Sequence, residues 1–121
     1  MSTPLITLTS LHKVIDPTTV IDIPSLVVNA AEVVAVVGPV DSGRDALFQL
    51  LTGAMRPTTG SVRLAGLDPY LERAAFGWQV GVLFAEDNLY PRLSAFGNLQ
   101  FFCRLYRLPR RAPWRCWNSS P

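Results

Sequence analysis

"VVAVVGPVDSGRDALFQLLTGAM", residues 33–55, changes its pattern twice along its length. It opens with consecutive apolar residues, Val33 to Val37, as a strand covered on both faces requires. The chain then turns between Gly38 and Gly43. From Ser42 to about Thr52 it sets Ala46, Leu47, Leu50 and Leu51 on one face of a helix, and Gly53 supplies the stop. A strand, a glycine-bounded turn and a helix together offer an anion several backbone N–H donors at once. The unpaired donors of a helix N-terminus carry about half a positive charge, and the glycines allow a tight turn and a close approach. Gly38 and Gly43 stand at the spacing of the phosphate-binding loop G-x-x-x-x-G-K-[ST].

The side chains of this loop depart from that pattern. Arg44 stands where Lys is usual, and its broad planar head is not equivalent to a compact ammonium. Asp45 replaces the hydroxyl that would ligate magnesium, and Asp41 falls where a further glycine is usual. Asp41, Arg44 and Asp45 sum to −1, against +1 for a loop whose only charge is Lys, and the ligand is itself anionic. At an effective dielectric near 20 and about 6 Å, a like-charge pair costs roughly 3 kcal/mol, whereas the helix dipole returns only about 0.3 to 1 kcal/mol. A purely structural reading also fits: Ser42 caps the helix and Asp45, three residues on, faces its positive end, a relative of the capping box. The expected site comprises Gly38, Pro39, Asp41, Ser42, Gly43, Arg44, Asp45 and Ala46.

Working outward, 121 residues give one folding unit, and nearly half of them are apolar, which excludes disorder for most of the length. No run reaches the roughly 20 apolar residues of a bilayer span, and "MSTPLITLTSLHK" has no basic-then-apolar leader, so a cytoplasmic protein is expected. Residues 1–100 carry six Lys or Arg against nine acids, while residues 101–121 carry five Arg and no acid. That basic tail has no recognition motif beside it, so nucleic acid is not an expected partner. Cys103 and Cys116 form no CxxC pair and lie far in sequence from His12, which argues against zinc.

"LITLTSLHKV" and "TVIDIPSLVV" alternate apolar and polar residues around the turn "DPTT" and predict an antiparallel pair, with Pro24 on an edge or a bulge. "RPTTGSVRLAG" predicts a further short strand and "PYLERAAF" a brief helix. "WQVGVLFA" is a second candidate for a buried parallel strand, before the loop "EDNLYPRLS" and a helix from about Ala95 to Leu108. The fold class is α/β: an antiparallel pair plus a partial parallel sheet with flanking helices, of the P-loop NTPase kind.

"GPVDSGRDALFQLLTGAMRPTTGSVRLAGLDP" resembles the Walker A region of the ATP-binding cassette (ABC) transporter ATPases, with Leu51, Gly53, Pro57, Gly60 and Gly66 in register. "GVLFAEDNLYPRLSAFGNLQFFCRLYRLP" is similar to the segment around that family's Q-loop, through Asn88-Leu89-Tyr90-Pro91, Leu93 and Asn98-Leu99. The resemblance runs from residue 5 to about 109 and implies a domain over 1–109 with a basic tail over 110–121. It implies ATP and magnesium as ligands, with a transmembrane transporter subunit and a second ATP-binding subunit as partners. The location implied is the inner face of the membrane, reached through a partner and without direct insertion. It also places Ala85 at the Q-loop glutamine, and Val14 or Ile15 at the aromatic that stacks on adenine. The Walker A and Q-loop are thus both degenerate.

The family's signature motif, Walker B strand and switch histidine would all follow residue 108, and "RAPWRCWNSSP" reads as translation out of frame. The expectation is a truncated ATP-binding subunit that cannot hydrolyse ATP alone. Two alternatives stand beside it, a non-catalytic module that pairs with a transporter subunit and a pseudogene product without function. Glu86 to Arg92 would face the membrane subunit.

Overall fold

The computed structural model describes residues 3–18, 20–86 and 88–109. They divide between two compact units, Met1–Gly81 and Val82–Pro121. The expected tail, 110–121, lies outside the described residues.

In the first unit, β1 (Pro4–Val14) pairs antiparallel with β2 (Val20–Asn29) on one side and with β3 (Thr59–Leu64) on the other, in the order β2-β1-β3. Pro24 therefore lies on an edge strand, as proline within a sheet ordinarily does. Strict alternation along β1 would send Leu8 and Leu11 to opposite faces, because they are three positions apart. Both are fully buried, and the reason is a bulge. Between Thr9 and His12, β1 spends three steps while β3, from Ser61 to Thr59, spends two, and Ser10 takes a φ of 47°. Opposite the bulge, Gly60 has a φ of 83° and lies so close that a Cβ there would sit 2.1 Å from the Ser10 carbonyl oxygen. The extra residue returns Leu11 to the core face, worth about 1.5 to 3 kcal/mol for the buried leucine.

Helix α1 (Arg44–Leu51) lays Ala46 and Leu50 against that face, in one cluster with Leu8, Leu11, Ile21 and Val62. It ends where expected: Gly53 has a φ of 74°, and the Met55 N–H returns to the Gln49 carbonyl. Helix α2 (Arg73–Gln79) starts later than "PYLERAAF" suggests. The Asp68 carboxylate accepts the N–H groups of Tyr70 and Leu71 at 2.9 Å each and caps a single turn that precedes the helix.

The expected parallel strands do not form among the described residues. Residues 33–37 run without strand pairing, with Val33 100% and Val37 90% exposed, and residues 80–84 follow α2 likewise, with Leu83 76% exposed. A parallel strand needs neighbours delivered by crossover connections. The whole sheet of the first unit is antiparallel, and none of its strands pairs with residues 33–37.

In the second unit, α3 (Ala95–Leu105) is capped by the Ser94 hydroxyl, which accepts the Gly97 N–H at 3.1 Å. It stops short of Leu108 because Arg107 turns left-handed, at a φ of 53°, and the Leu108 N–H closes back on the Cys103 carbonyl at 2.8 Å.

At the end of β2, the Asn29 backbone N–H donates to the Glu32 carboxylate at 2.7 Å, and the Asn29 side-chain amide donates to it at 3.2 Å. These two bonds, the backbone one first, hold the Glu32 carboxyl below its ordinary range. A depressed folded-state pKa gives stability above the unfolded value that is lost as pH falls through the folded one. Acidification below about pH 4 is therefore expected to loosen this turn. Amide exchange at Asn29 should rise there relative to neighbouring β2 amides, after correction for intrinsic rates, and Glu32→Gln should remove the pH dependence.

Candidate functional site

A cleft of about 490 Å³ opens in the first unit where the Gly38–Gly43 turn meets the start of α1. Pro39, Asp41, Ser42, Gly43, Arg44, Asp45 and Ala46 all line it, so seven of the eight expected residues are brought together. The eighth, Gly38, opens the turn: a Cβ there would lie 2.6 Å from the Ser42 hydroxyl oxygen, which would have to rotate away.

The backbone path explains the glycine spacing. Asp41 and Gly43 are both left-handed, with φ of 62° and 83°. Glycine enters that region freely, and aspartate is among the few other residues that tolerate it. Asp41 thus keeps the shape that a glycine would give while adding a charge. The first helical bond is Leu47 N–H to the Gly43 carbonyl at 2.9 Å. The N–H groups of Gly43 to Ala46 precede it and have no partner within the helix.

The structure corrects the expected cap. Gly43, not Ser42, is the N-cap of α1, and no side chain caps the helix. The Ser42 N–H is taken instead by the Pro39 carbonyl, at 3.3 Å. The side chain of Asp45 is 91% exposed, so in the free protein its charge is screened by water. The penalty of roughly 3 kcal/mol then applies only once a ligand displaces that water; in full water it falls to about 0.7 kcal/mol. The Arg44 guanidinium folds back over the turn, donating to the Gly38 carbonyl at 3.1 Å with its Nε 3.8 Å from the Asp45 carboxylate.

Four further residues line the cleft that sequence reading does not assign to the site: Asp16, Thr18, Gln49 and Met55. Gln49 follows Asp45 by one helical turn, so the period of α1 could have supplied it. Asp16 and Thr18 belong to the "DPTT" turn, where the Thr18 N–H and hydroxyl both donate to Asp16, at 2.9 and 2.6 Å. The β1–β2 hairpin carries that turn, and α1, which packs on the sheet, carries the loop. Of the two candidates for the adenine-facing position, Ile15 lines the cleft and Val14 does not.

In the second unit, Ala85 lies in a turn closed by Asn88. The Asn88 side chain accepts the Phe84 N–H at 3.3 Å, donates to the Phe84 carbonyl at 2.6 Å, and donates also to the Glu86 carbonyl. Asn98, only 4% exposed, ties Tyr90, Leu93 and Ser94 to the first turn of α3 through four bonds. Leu89 and Tyr90 stay 61% and 49% exposed.

Comparison with known proteins decides the family. A family model described as "ABC transporter" matches residues 21–119. The chain belongs to the ATP-binding domains of ABC transporters. It is 34% identical over 87 residues to the ABC transporter ATP-binding protein NatA of Bacillus subtilis, covering 71% of this chain and 35% of that one. It is 30% identical over 116 residues to the spermidine/putrescine import ATP-binding protein PotA of Legionella pneumophila, covering 92% and 30%. It is 32% identical over 110 residues to the Nod factor export ATP-binding protein I of Ralstonia nicotianae, covering 89% and 34%. The ABC chain spans about a third of the length of these curated relatives. No helix among its described residues is long and apolar enough to cross a membrane.

Proposed function

We propose that this ABC chain supplies the nucleotide-facing and partner-facing surfaces of a transporter ATP-binding subunit, with a cleft that keeps the phosphate-binding backbone and has lost tight ATP binding. One observation carries the reading. Asp41 and Gly43 preserve the left-handed turn into α1, while Asp41 and Asp45 set carboxylates on the walls of the same cleft. The backbone donors fit a phosphate. The hydroxyl that would ligate magnesium is replaced by Asp45. Remaining phosphate contact falls to Gly38, Gly43 and Arg44, chiefly through backbone N–H groups near the helix start, and to Ser42 through its hydroxyl, since its N–H is taken by the Pro39 carbonyl. At the Q-loop position the Ala85 methyl can neither ligate magnesium nor hold water, so these residues alone do not hydrolyse ATP.

The partner surface is the stretch 86–92, facing a transmembrane subunit, with a second ATP-binding subunit across the nucleotide cleft. The ordering of this loop by Asn88 and Asn98, with Leu89 and Tyr90 left exposed, also favours a second reading: a non-catalytic module that pairs with a transporter subunit whatever the nucleotide. Isothermal titration with ATP and magnesium tests the first reading. The expected Kd is weaker than about 100 μM, that is, less than about 5.5 kcal/mol of binding energy. A Kd below about 10 μM that is lost in Arg44→Glu would overturn the loss of tight binding. Phosphate release above a protein-free blank would overturn the lack of hydrolysis.

A further inference from the structure

A second cleft, of about 450 Å³, opens in the first unit between the segment after α1 and the turn before α2, and it shares no lining residue with the first. Its two walls are tied together. A Cβ on Gly53 would lie 2.1 Å from the Pro69 carbonyl oxygen, so the segments meet where glycine allows it, and Pro69 is itself fully buried. The Arg73 guanidinium crosses the same junction and donates to the Gly53 carbonyl at 2.7 Å. Its central carbon stands 5.6 Å from the centre of the Tyr70 ring, and that of Arg56 stands 5.9 Å from it, both within cation–π range. Tyr70 thus lies against one anchored cation and one that lines the cleft.

Arg56 and Asp68 line this cleft together and do not pair with each other, since the ion pairs among the described residues are Arg44–Asp45 and Arg63–Glu72. Asp68 accepts the Tyr70 and Leu71 N–H groups at a single oxygen, Oδ1, which leaves Oδ2 as a further acceptor. Pro57, Tyr70 and Leu71 add apolar surface, and Leu71 is exposed. These charges select by sign. A purely anionic guest meets Asp68 and a purely cationic one meets Arg56, whereas a molecule that bears both charges finds an opposite charge for each.

We propose that this cleft binds a free amino acid with an apolar side chain, its carboxylate on the Arg56 guanidinium, its ammonium on the Asp68 carboxylate and its side chain against Tyr70 and Leu71. The planar fork of a guanidinium can take a carboxylate through two parallel N–H donors. The volume falls within the range of roughly 300 to 1,000 Å³ found for small-molecule sites. Binding here needs no nucleotide, so the ATP titration does not bear on it.

Titration of the isotope-labelled full chain with L-leucine, followed at the amide resonances of Tyr70 and Leu71, tests the site. The expected Kd is about 1 mM, and about tenfold weaker or more for N-acetyl-L-leucine, which lacks the ammonium, and for L-leucinamide, which lacks the carboxylate. Arg56→Gln should weaken leucine by about tenfold. In Asp68→Asn, which keeps the Oδ1 acceptor and removes the charge, N-acetyl-L-leucine should bind as well as leucine does. The site is overturned if about 20 mM leucine moves neither resonance, if N-acetyl-L-leucine binds the parent chain as tightly as leucine, or if Arg56→Gln binds leucine unchanged. Should Asp68→Asn fail to fold, the ligand series on the parent chain and on Arg56→Gln decides.

Discussion

Asp41→Asn combined with Asp45→Ser is expected to tighten binding of ATP with magnesium about a hundredfold. Each aspartate adds a like charge near the phosphates. At about 6 Å the repulsion lies between about 0.7 kcal/mol in water and roughly 3 kcal/mol at a dielectric near 20. A bound nucleotide excludes part of the water that screens Asp45 in the free protein, so an intermediate value of about 1.4 kcal/mol, or tenfold, applies to each. The substitutions spare the architecture. Asn tolerates the left-handed region that Asp41 occupies, and the Asp45 side chain is 91% exposed and caps nothing. Titration of the two single variants and the double variant gives the answer directly: gains near tenfold for each and near-multiplicative together. If both single variants bind ATP within twofold of the parent, charge is not what distinguishes this cleft.

Asn98→Asp is expected to cost about 4 kcal/mol of stability, more than Asn98→Ala at about 2 to 3 kcal/mol. The inversion of the usual conservative order follows from which way each bond runs. The Asn98 Oδ1 accepts one N–H, from Tyr90 at 2.7 Å. Its Nδ2 donates to three carbonyls, those of Tyr90 at 3.1 Å, Leu93 at 3.3 Å and Ser94 at 3.1 Å. Aspartate keeps the single acceptor and turns a second negative oxygen onto three carbonyl oxygens at a site only 4% exposed. Alanine takes away the partner of the Tyr90 N–H and of the Leu93 carbonyl without adding a charge, while the Tyr90 and Ser94 carbonyls keep the backbone N–H groups of Leu93 and Asn98. Urea unfolding followed by far-ultraviolet circular dichroism should rank the parent above the alanine variant and the alanine variant above the aspartate one. If Asn98→Asp left the protein as stable as the parent, the loop would not depend on these bonds. The edge-to-face contact of Tyr90 with Phe101, centroids 4.7 Å apart, would loosen with the same loop.

What can be read from the sequence divides by the range of the interactions involved. The β1–β2 pair, β3, and the stop of α1 at Gly53 are legible because alternation, turn residues and caps act over a few positions. The turn between Gly38 and Gly43 and its passage into α1 are legible for the same reason. Residues 33–37 are not: five apolar residues in a row state that a strand would need cover on both faces, and say nothing of where that cover comes from. The bulge at Ser10 stays hidden because only the pairing of Gly60 across the sheet reveals it. Asp16 and Thr18 line the cleft through the packing of α1 on the sheet, which no local pattern states. The cap of α1 misleads because Ser42 has the right chemistry one residue too early, and the left-handed Gly43 takes the position. The late start of α2 is not legible either: Asp68 accepts the Tyr70 and Leu71 N–H groups in the manner of a cap, yet the continuous helix begins only at Arg73.

The left-handed backbone at Asp41 bears on how such a loop can change over generations. Codons for glycine and aspartate can differ by one base, and here the exchange leaves the course of the main chain intact. Selectivity for an anionic guest can therefore drift, and be regained, by point mutation, with no rebuilding of the scaffold that holds the loop.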